Sequence, residues 1–147
     1  MLLKGSEGTH FGLRIVGYQF PRGGDSANWL NVEIDAAFPA GQWKAVDPAL
    51  ETFDVAKLAD WFEALAAGEP TDDEMYFVEP NLVFKSLHRT SAQTVVRVQV
   101  EGELRPSWAP HHKVKDLSAD FSLGSDALRA AANSLRQQLH LFPPREE

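Results

Sequence analysis

The five histidines are the first residues to consider for chemistry, because imidazole can hold a metal ion or transfer a proton near neutral pH. His111 and His112 are adjacent, so they cannot easily point at one ion from a strand. None of the other three has a histidine or glutamate at the spacing of a zinc helix such as H-E-x-x-H. The chain has no cysteine, which excludes thiolate ligands and disulfides. The sequence therefore predicts no metal site and no cofactor.

Nucleophile and phosphate-binding motifs are also absent. No serine lies in a G-x-S-x-G elbow, and Gly124-Ser125-Asp126 is typical of a helix start instead. The glycine-containing loop Pro21–Ser26 is not followed by the Gly-Lys-Ser/Thr of a phosphate-binding loop. We therefore expect a protein that is not an enzyme. An enzyme that uses His112 or Asp25 in a polar cleft is a third hypothesis, after the two binding functions below.

Acidic side chains are concentrated in one part of the chain. Residues 51–82, called the acidic segment below, hold nine acids and one base, a net charge of −8. The whole chain of 147 residues has a net charge of −7, so the remainder sums to +1. Such a field repels nucleic acid and attracts basic surfaces. Solubility alone is the alternative explanation.

A protein-binding surface is the first hypothesis for this charge. It comprises seven carboxylates: Asp60, Glu63, Glu69, Asp72, Asp73, Glu74 and Glu79. The alternative is a module that binds a small molecule or carbohydrate on an aromatic-lined sheet face. Its residues are Trp29, Trp43, Asn81 and Trp108.

Nucleic acid is not an expected partner, although three arginines fall on predicted strands or at their ends. Arg14, Arg97 and Arg105 could share a solvent-facing sheet surface with glutamates and aspartates of neighbouring strands. Ion pairs across strands explain these arginines better than a basic groove does.

The elements that must position these residues alternate between strands and two helices. Trp29–Phe38 places an apolar residue at every second position, which indicates a half-buried antiparallel strand. Longer strands are also predicted over Phe11–Phe20 and Thr94–Leu104. Shorter strands are expected at Met1–Lys4, Gln42–Val46, Met75–Val78, Leu82–Phe84 and Ala119–Leu123.

Two stretches have the apolar spacing of amphipathic helices. Thr52 is the predicted cap of a helix over Phe53–Ala67, and Ser125 is the predicted cap of a second one near the C-terminus. Arg145-Glu146-Glu147 is expected to be a loose tail. We expect one α+β domain over 1–147, with a mainly antiparallel, curved or sandwich-like sheet of about seven or eight strands and both helices packed on it.

No part of the sequence suggests export or membrane insertion. The first residues, MLLKGSEG, lack a basic region followed by a long apolar run. No apolar stretch approaches the roughly 20 residues that span a bilayer. A cytoplasmic protein without a membrane partner is therefore expected, and the oligomeric state is left open.

Several short blocks, taken in order, resemble one family. They are VGYQFP at Val16–Pro21, ANWLNVEI at Ala27–Ile34, LADWFEAL at Leu58–Leu65, EPNLVF at Glu79–Phe84 and LRQQLHLFPPR at Leu135–Arg145. Together they resemble the WapI-type immunity protein family, small bacterial proteins that protect a cell from a contact-delivered toxin. The resemblance implies a cytosolic, non-enzymatic inhibitor that binds a cognate toxin domain, often a nuclease. A nuclease surface must hold phosphate and is basic, which agrees with an acidic partner.

Overall fold

The computed structural model describes residues 1–146, which contain eight strands, two α-helices and one short 3₁₀ helix. Sheet 1 consists of β1 (Leu2–Lys4), β2 (His10–Tyr18), β3 (Trp29–Phe38) and β4 (Gly41–Glu51). Sheet 2 consists of β5 (Glu74–Met75), β6 (Leu82–Arg89), β7 (Thr94–Val100) and β8 (Ser118–Leu123). The helices are α1 (Thr52–Ala67) and α2 (Ser125–Leu141), and the 3₁₀ helix covers Gly102–Leu104.

Each sheet is an antiparallel meander with strands in sequence order, β1-β2-β3-β4 and β5-β6-β7-β8. Neither sheet closes on itself. Sequential neighbours pair in this way because a short turn suffices to join antiparallel strands. The predicted α+β class, strand number and pair of helices are confirmed.

Phe84 on β6 lies where the two sheets and α1 meet. Its ring centroid is 5.9 Å from that of Phe11 on β2, and the two rings are close to perpendicular. The rings of Trp61 and Phe62 on α1 lie 6.4 and 6.0 Å from it. All four side chains are at most 1% exposed, so Trp61 and Phe62 are core aromatics. Edge-to-face packing of this kind adds to the burial of apolar area that holds the layers together.

β4 is longer than predicted and leads directly into α1. The strand was predicted over Gln42–Val46, but pairing with β3 continues past Asp47 and Pro48 to Glu51. β4 is an edge strand of sheet 1, and a proline is tolerated at a sheet edge because no neighbour needs its missing N–H. An irregularity in the pairing between Leu30 and Val32 of β3 accommodates the extra residue on β4.

Both helices begin one residue earlier than predicted. Glu51, not Thr52, is the N-cap of α1, and its backbone N–H donates to the carboxylate of Asp54 at 2.9 Å. Gly124, not Ser125, precedes α2. The α2 side chain of Gln138 reaches sheet 1, where its Oε1 accepts from the backbone N–H of Ile15 at 2.7 Å.

Two other predicted elements are wrong in extent. The strand predicted over Thr94–Leu104 ends at Val100, because Gly102 has a φ of +56° and starts the 3₁₀ turn. The strand predicted over Met75–Val78 is reduced to β5. The prediction of a loose tail is wrong at Arg145, because its guanidinium makes several hydrogen bonds to backbone carbonyls. Glu147 lies outside the described residues.

Candidate functional site

Two acids on α1, Asp60 and Glu63, are held by one arginine of α2. Arg136 donates from Nη2 to Asp60 Oδ1 at 2.5 Å and from Nε to Glu63 Oε1 at 2.6 Å. The hydrogen bond from Arg136 lowers the pKa of Glu63 below its ordinary value, and both acids together raise the pKa of Arg136. These two carboxylates therefore join the helices, and one arginine balances half of their combined charge of −2.

Two further acids of the acidic segment also have internal partners. Glu74 on β5 lies 3.6 Å from Lys85 Nζ on β6, directly across the strand pair. Asp54 is 1% exposed and accepts the N-cap hydrogen bond described above. Burial raises the pKa of Asp54. The segment thus presents less free charge than its sequence suggests.

Four predicted site residues, Glu69, Asp72, Asp73 and Glu79, are exposed. None of their carboxylates has an ion-pair partner among residues 1–146. The backbone of Asp72 and Asp73 is nevertheless fixed: Trp61 Nε1 donates to Asp72 O at 2.7 Å, and Ser86 N donates to Asp73 O at 2.7 Å. Their side chains are therefore presented to solvent from a well-anchored piece of chain.

A second group of carboxylates lines a cleft at one end of the two sheets, which we call the acidic cleft. Asp47 comes from β4, Glu79 from the corner before β6, and Glu103 from the 3₁₀ turn after β7. The cleft has a volume of about 400 Å³. Its other lining residues are Gln19, Phe20, Ser26, Trp29, Pro48 and Asn81.

The acids of the cleft repel one another. Partial burial is the main cause that raises the pKa of Asp47, and the nearby negative charges of Glu103 and Glu79 raise it further. A hydrogen bond from Asn81 Nδ2 to Asp47 Oδ2, 2.8 Å long, acts in the opposite direction. Within the described residues, no arginine or lysine pairs with any of the three carboxylates. The site is consequently suited to receive a cation.

Asn81 is held in place by the 3₁₀ turn. It is 5% exposed, and its carbonyl O accepts from Glu101 N at 2.9 Å. A Cβ at Gly102 would lie 2.6 Å from Asn81 Oδ1, and Gly102 has positive φ. Glycine is needed there because the backbone must pass close to the amide in a left-handed conformation. The turn therefore fixes the hydrogen bond between Asn81 and Asp47.

The tryptophans of the alternative hypothesis are divided between two places. Trp29 and Asn81 line the acidic cleft. Trp43 is 9% exposed, donates to Leu104 O at 2.9 Å and meets Trp108 edge-on at 5.9 Å. Trp108 lies over Gly41, where a Cβ would come within 2.6 Å of its ring. An aromatic-lined ligand site would thus draw on one tryptophan of the three.

Cross-strand ion pairs are present for two of the three arginines. Arg14 donates to Glu33 at 3.0 Å, and Arg97 donates to Asp120 at 2.7 Å. The expectation is wrong for Arg105, which follows the 3₁₀ helix, has a side chain only 5% exposed and pairs at 3.1 Å with Glu101, four residues earlier in the chain. These arginines therefore have local partners.

Two further features are absent from the part of the chain that the structure describes. No three histidines, aspartates or glutamates are grouped so that they could hold a metal ion. No helix over residues 1–146 has the length and apolar character needed to cross a bilayer.

Asp47 and Glu103 were missed from sequence because they lie outside the acidic segment and outside any motif. The sequence places Asp47 directly after the predicted strand Gln42–Val46, and it places Glu103 inside the strand predicted over Thr94–Leu104. Contact between β4 and the 3₁₀ turn depends on how the two sheets pack, which the sequence pattern does not specify. A weak signal was the pair Asp47-Pro48, because proline in a strand points to an irregular edge.

A model of the immunity protein WapI-like family matches residues 1–143. The chain belongs to the WapI-like immunity protein family. The match covers almost the whole chain, and the resemblance seen in the five sequence blocks is therefore confirmed. No curated protein and no solved structure matches this member of the family.

Membership of the WapI-like family supports a bacterial immunity function. It also implies in general that the chain binds a protein toxin, and it suggests a non-catalytic role.

Proposed function

We propose that this WapI-like protein neutralises a toxin domain in the cytoplasm by seating a lysine or arginine of that domain in the acidic cleft. The observation that carries the proposal is the group formed by Asp47, Glu79 and Glu103, three carboxylates without a cationic partner in the described residues. Bringing a cation between them relieves repulsion that the free protein must bear. Charge pairs of this kind, once shielded from water, slow the release of a partner.

The cleft also offers contacts beyond charge. Phe20 is 45% exposed, and Trp29 is half-buried at the cleft wall. A guanidinium or ammonium group is attracted to the face of an aromatic ring, most strongly to indole. Aromatic side chains at the centre of an interface and charges around it are typical of sites that dominate binding energy.

The exposed acids of the acidic segment would act at longer range in this proposal. Asp72, Asp73 and Glu69 would attract a basic partner before contact, while Asp60, Glu63 and Glu74 contribute less because they are paired. Charges at this distance change the rate of encounter more than the lifetime of the complex. A nuclease domain is the partner we favour, because its substrate-binding surface must be basic.

Two triple variants with the same change in net charge separate these roles. One neutralises the cleft (Asp47→Asn, Glu79→Gln, Glu103→Gln), and the other neutralises the segment (Asp72→Asn, Asp73→Asn, Glu74→Gln). The partner is the toxin domain encoded beside this gene in the producing bacterium, and both rate constants are measured at low and high salt.

Both variants should associate more slowly at low salt, by roughly 3- to 10-fold, because both lose three negative charges. Only the cleft variant should dissociate faster, by at least about 30-fold, the size of effect found when one side of a buried charge pair is removed. In cells that express the toxin domain, the segment variant should still protect growth and the cleft variant should not. Equal dissociation rates for the two variants would contradict the placement in the cleft, and no binding by the native chain would contradict the function.

A further inference from the structure

The segment that follows α2 is fastened to the loop between β2 and β3. The Arg145 guanidinium donates to the carbonyls of Phe20 at 2.8 Å, Pro21 at 3.3 Å and Ala27 at 3.0 Å. These acceptors stand at both ends of the loop, so one planar group with its fixed fork of donors spans the loop mouth. The loop is thereby closed by a side chain from more than a hundred residues away.

Arg145 is itself held on three sides. Its backbone N–H donates to Asn28 Oδ1 at 2.7 Å, and its carbonyl accepts from Asn28 Nδ2 at 2.9 Å. Its guanidinium lies 3.7 Å above the ring of Tyr18, whose hydroxyl donates to Pro143 O at 2.6 Å. A side chain that is held in this way loses little further freedom when it orders the loop.

The loop needs such support. Gly24 and Ser26 both have positive φ, of 118° and 69°, and the positive value is unfavourable for Ser26. Among the described residues, three backbone hydrogen bonds hold the loop: Gln19 N to Trp29 O at 2.9 Å, Ala27 N to Gly24 O at 3.0 Å and Trp29 N to Ser26 O at 3.2 Å. The same loop supplies Phe20 and Ser26 to the wall of the acidic cleft.

We propose that Arg145 is a positioning residue that holds the β2–β3 loop in the shape required by the acidic cleft. The residue does not line the cleft and acts through the backbone of Phe20 and Ala27. It lies beyond residues 1–143, the part of the chain that the family model matches. The effect on partner binding rests on the proposed function, whereas the effect on the loop does not.

Whether loss of Arg145 strengthens or weakens binding of the toxin domain distinguishes a positioning role of this residue from a purely electrostatic one. Removing a positive charge beside an acidic cleft makes the protein more negative, which by itself favours a basic partner. Loss of the loop conformation has the opposite effect. Arg22, exposed in the same loop and without a hydrogen bond or ion pair in the described residues, provides a matched control for the charge.

The test compares Arg145→Ala, Arg145→Lys and Arg22→Ala by hydrogen exchange of the free protein and by dissociation of the toxin domain. In Arg145→Ala, amides of Ala27, Trp29 and Gln19 should exchange about tenfold faster, while amides of β6 and β7 stay unchanged. Arg145→Lys should be intermediate, because an ammonium group cannot reach all three carbonyls. Dissociation should accelerate in Arg145→Ala and not in Arg22→Ala.

Unchanged loop exchange in Arg145→Ala would overturn the proposal, and so would an equal increase throughout the protein. Faster loop exchange with unchanged toxin dissociation would overturn the link between the loop and binding. If the native chain binds no toxin domain, the proposed function fails, and the exchange data still decide whether Arg145 orders the loop.

Discussion

Asp60 and Glu63 on α1 have the same chemistry as the acids of the cleft and the opposite environment. Asp60 and Glu63 share Arg136, and this pairing ties the two helices together. Asp47 has Glu79 and Glu103 as its charged neighbours, and its pKa is raised. We expect the first group to contribute to stability and the second to lower the stability of the free protein.

Charge density along a sequence therefore does not locate charge that is available to a partner. The acidic segment is the most negative part of the chain, yet Glu74 is paired with Lys85, and Asp60 and Glu63 share Arg136. The cleft is assembled from three carboxylates that are distant in sequence. Uncompensated charge in a concave site is a common property of functional regions, where stability is sacrificed for binding.

Gly102→Ala should have the largest effect on this comparison, because it disturbs the 3₁₀ turn that supports the cleft. The new Cβ would lie 2.6 Å from Asn81 Oδ1 at a residue with positive φ, so the turn or the amide must move. We expect the free energy of unfolding to fall by about 1–3 kcal/mol, measured by chemical denaturation. Gly17→Ala is the control, because a Cβ there meets nothing within 4 Å. A loss no larger than that of the control would show that Asn81 does not depend on this turn.

Arg136→Gln should have the next largest effect and should act on the helix side. It removes two partly exposed ion pairs, for which we expect a loss of about 1 kcal/mol that shrinks in high salt. The contribution from Glu63 should be present above the ordinary pKa of a glutamate and disappear as the pH falls through its lowered pKa. Arg129→Gln is the control, since its partner Asp126 is fully exposed and 3.6 Å away. Equal losses of unfolding free energy in the two variants would show that Arg136 contributes no more than an exposed ion pair does.

Asp47→Asn should have the smallest effect and the opposite sign. Asparagine keeps an acceptor for Asn81 and removes one of three repelling charges, so stability at pH 7 should rise by no more than about 1 kcal/mol. Because the pKa of Asp47 is raised in the folded protein, the folded state binds the proton more tightly, and stability is lost as the pH rises through that range. The advantage of the variant should therefore vanish in acid.

Thermal unfolding from pH 3 to pH 8 measures this difference, with Asp25→Asn in the exposed loop as control. Destabilisation of Asp47→Asn at neutral pH would mean that the carboxylate is favourable where it stands. The contrast between the two acidic regions would then be lost.

The sequence predicted what depends on local periodicity. Alternating side chains marked β3 from Trp29 to Phe38 correctly, and the spacing of apolar residues marked both helices to within one residue at their start. The corners were less predictable, because Pro48 and Gly102 act through the neighbours they have in the folded chain. Pro48 is tolerated because β4 is an edge strand, and glycine is required at position 102 because the backbone there passes close to Asn81.

The cleft and its support could not be predicted in the same way. Asp47 and Glu103 meet because two sheets pack on each other, and strand order is not contained in periodicity. Arg145 was expected in a loose tail because its hydrogen-bond acceptors are backbone carbonyls. Every residue has a carbonyl, so the sequence does not show which ones Arg145 contacts. Arg105 behaves similarly in part: besides its ion pair with Glu101, it donates to the carbonyls of Val100 and Ala109. Arginines that bind the backbone leave no complementary charge in the sequence to reveal them.

The absence of any linker between β4 and α1 gives the two acidic regions a common frame. Glu51 ends the strand and Thr52 begins the helix, so Asp47 and Asp60 are carried on one uninterrupted piece of regular structure. In the proposed function, α1 and the wall of the acidic cleft that β4 supplies therefore keep one fixed orientation. We expect that substitutions at the rim of the acidic cleft alter which partner is accepted without changing the orientation of α1.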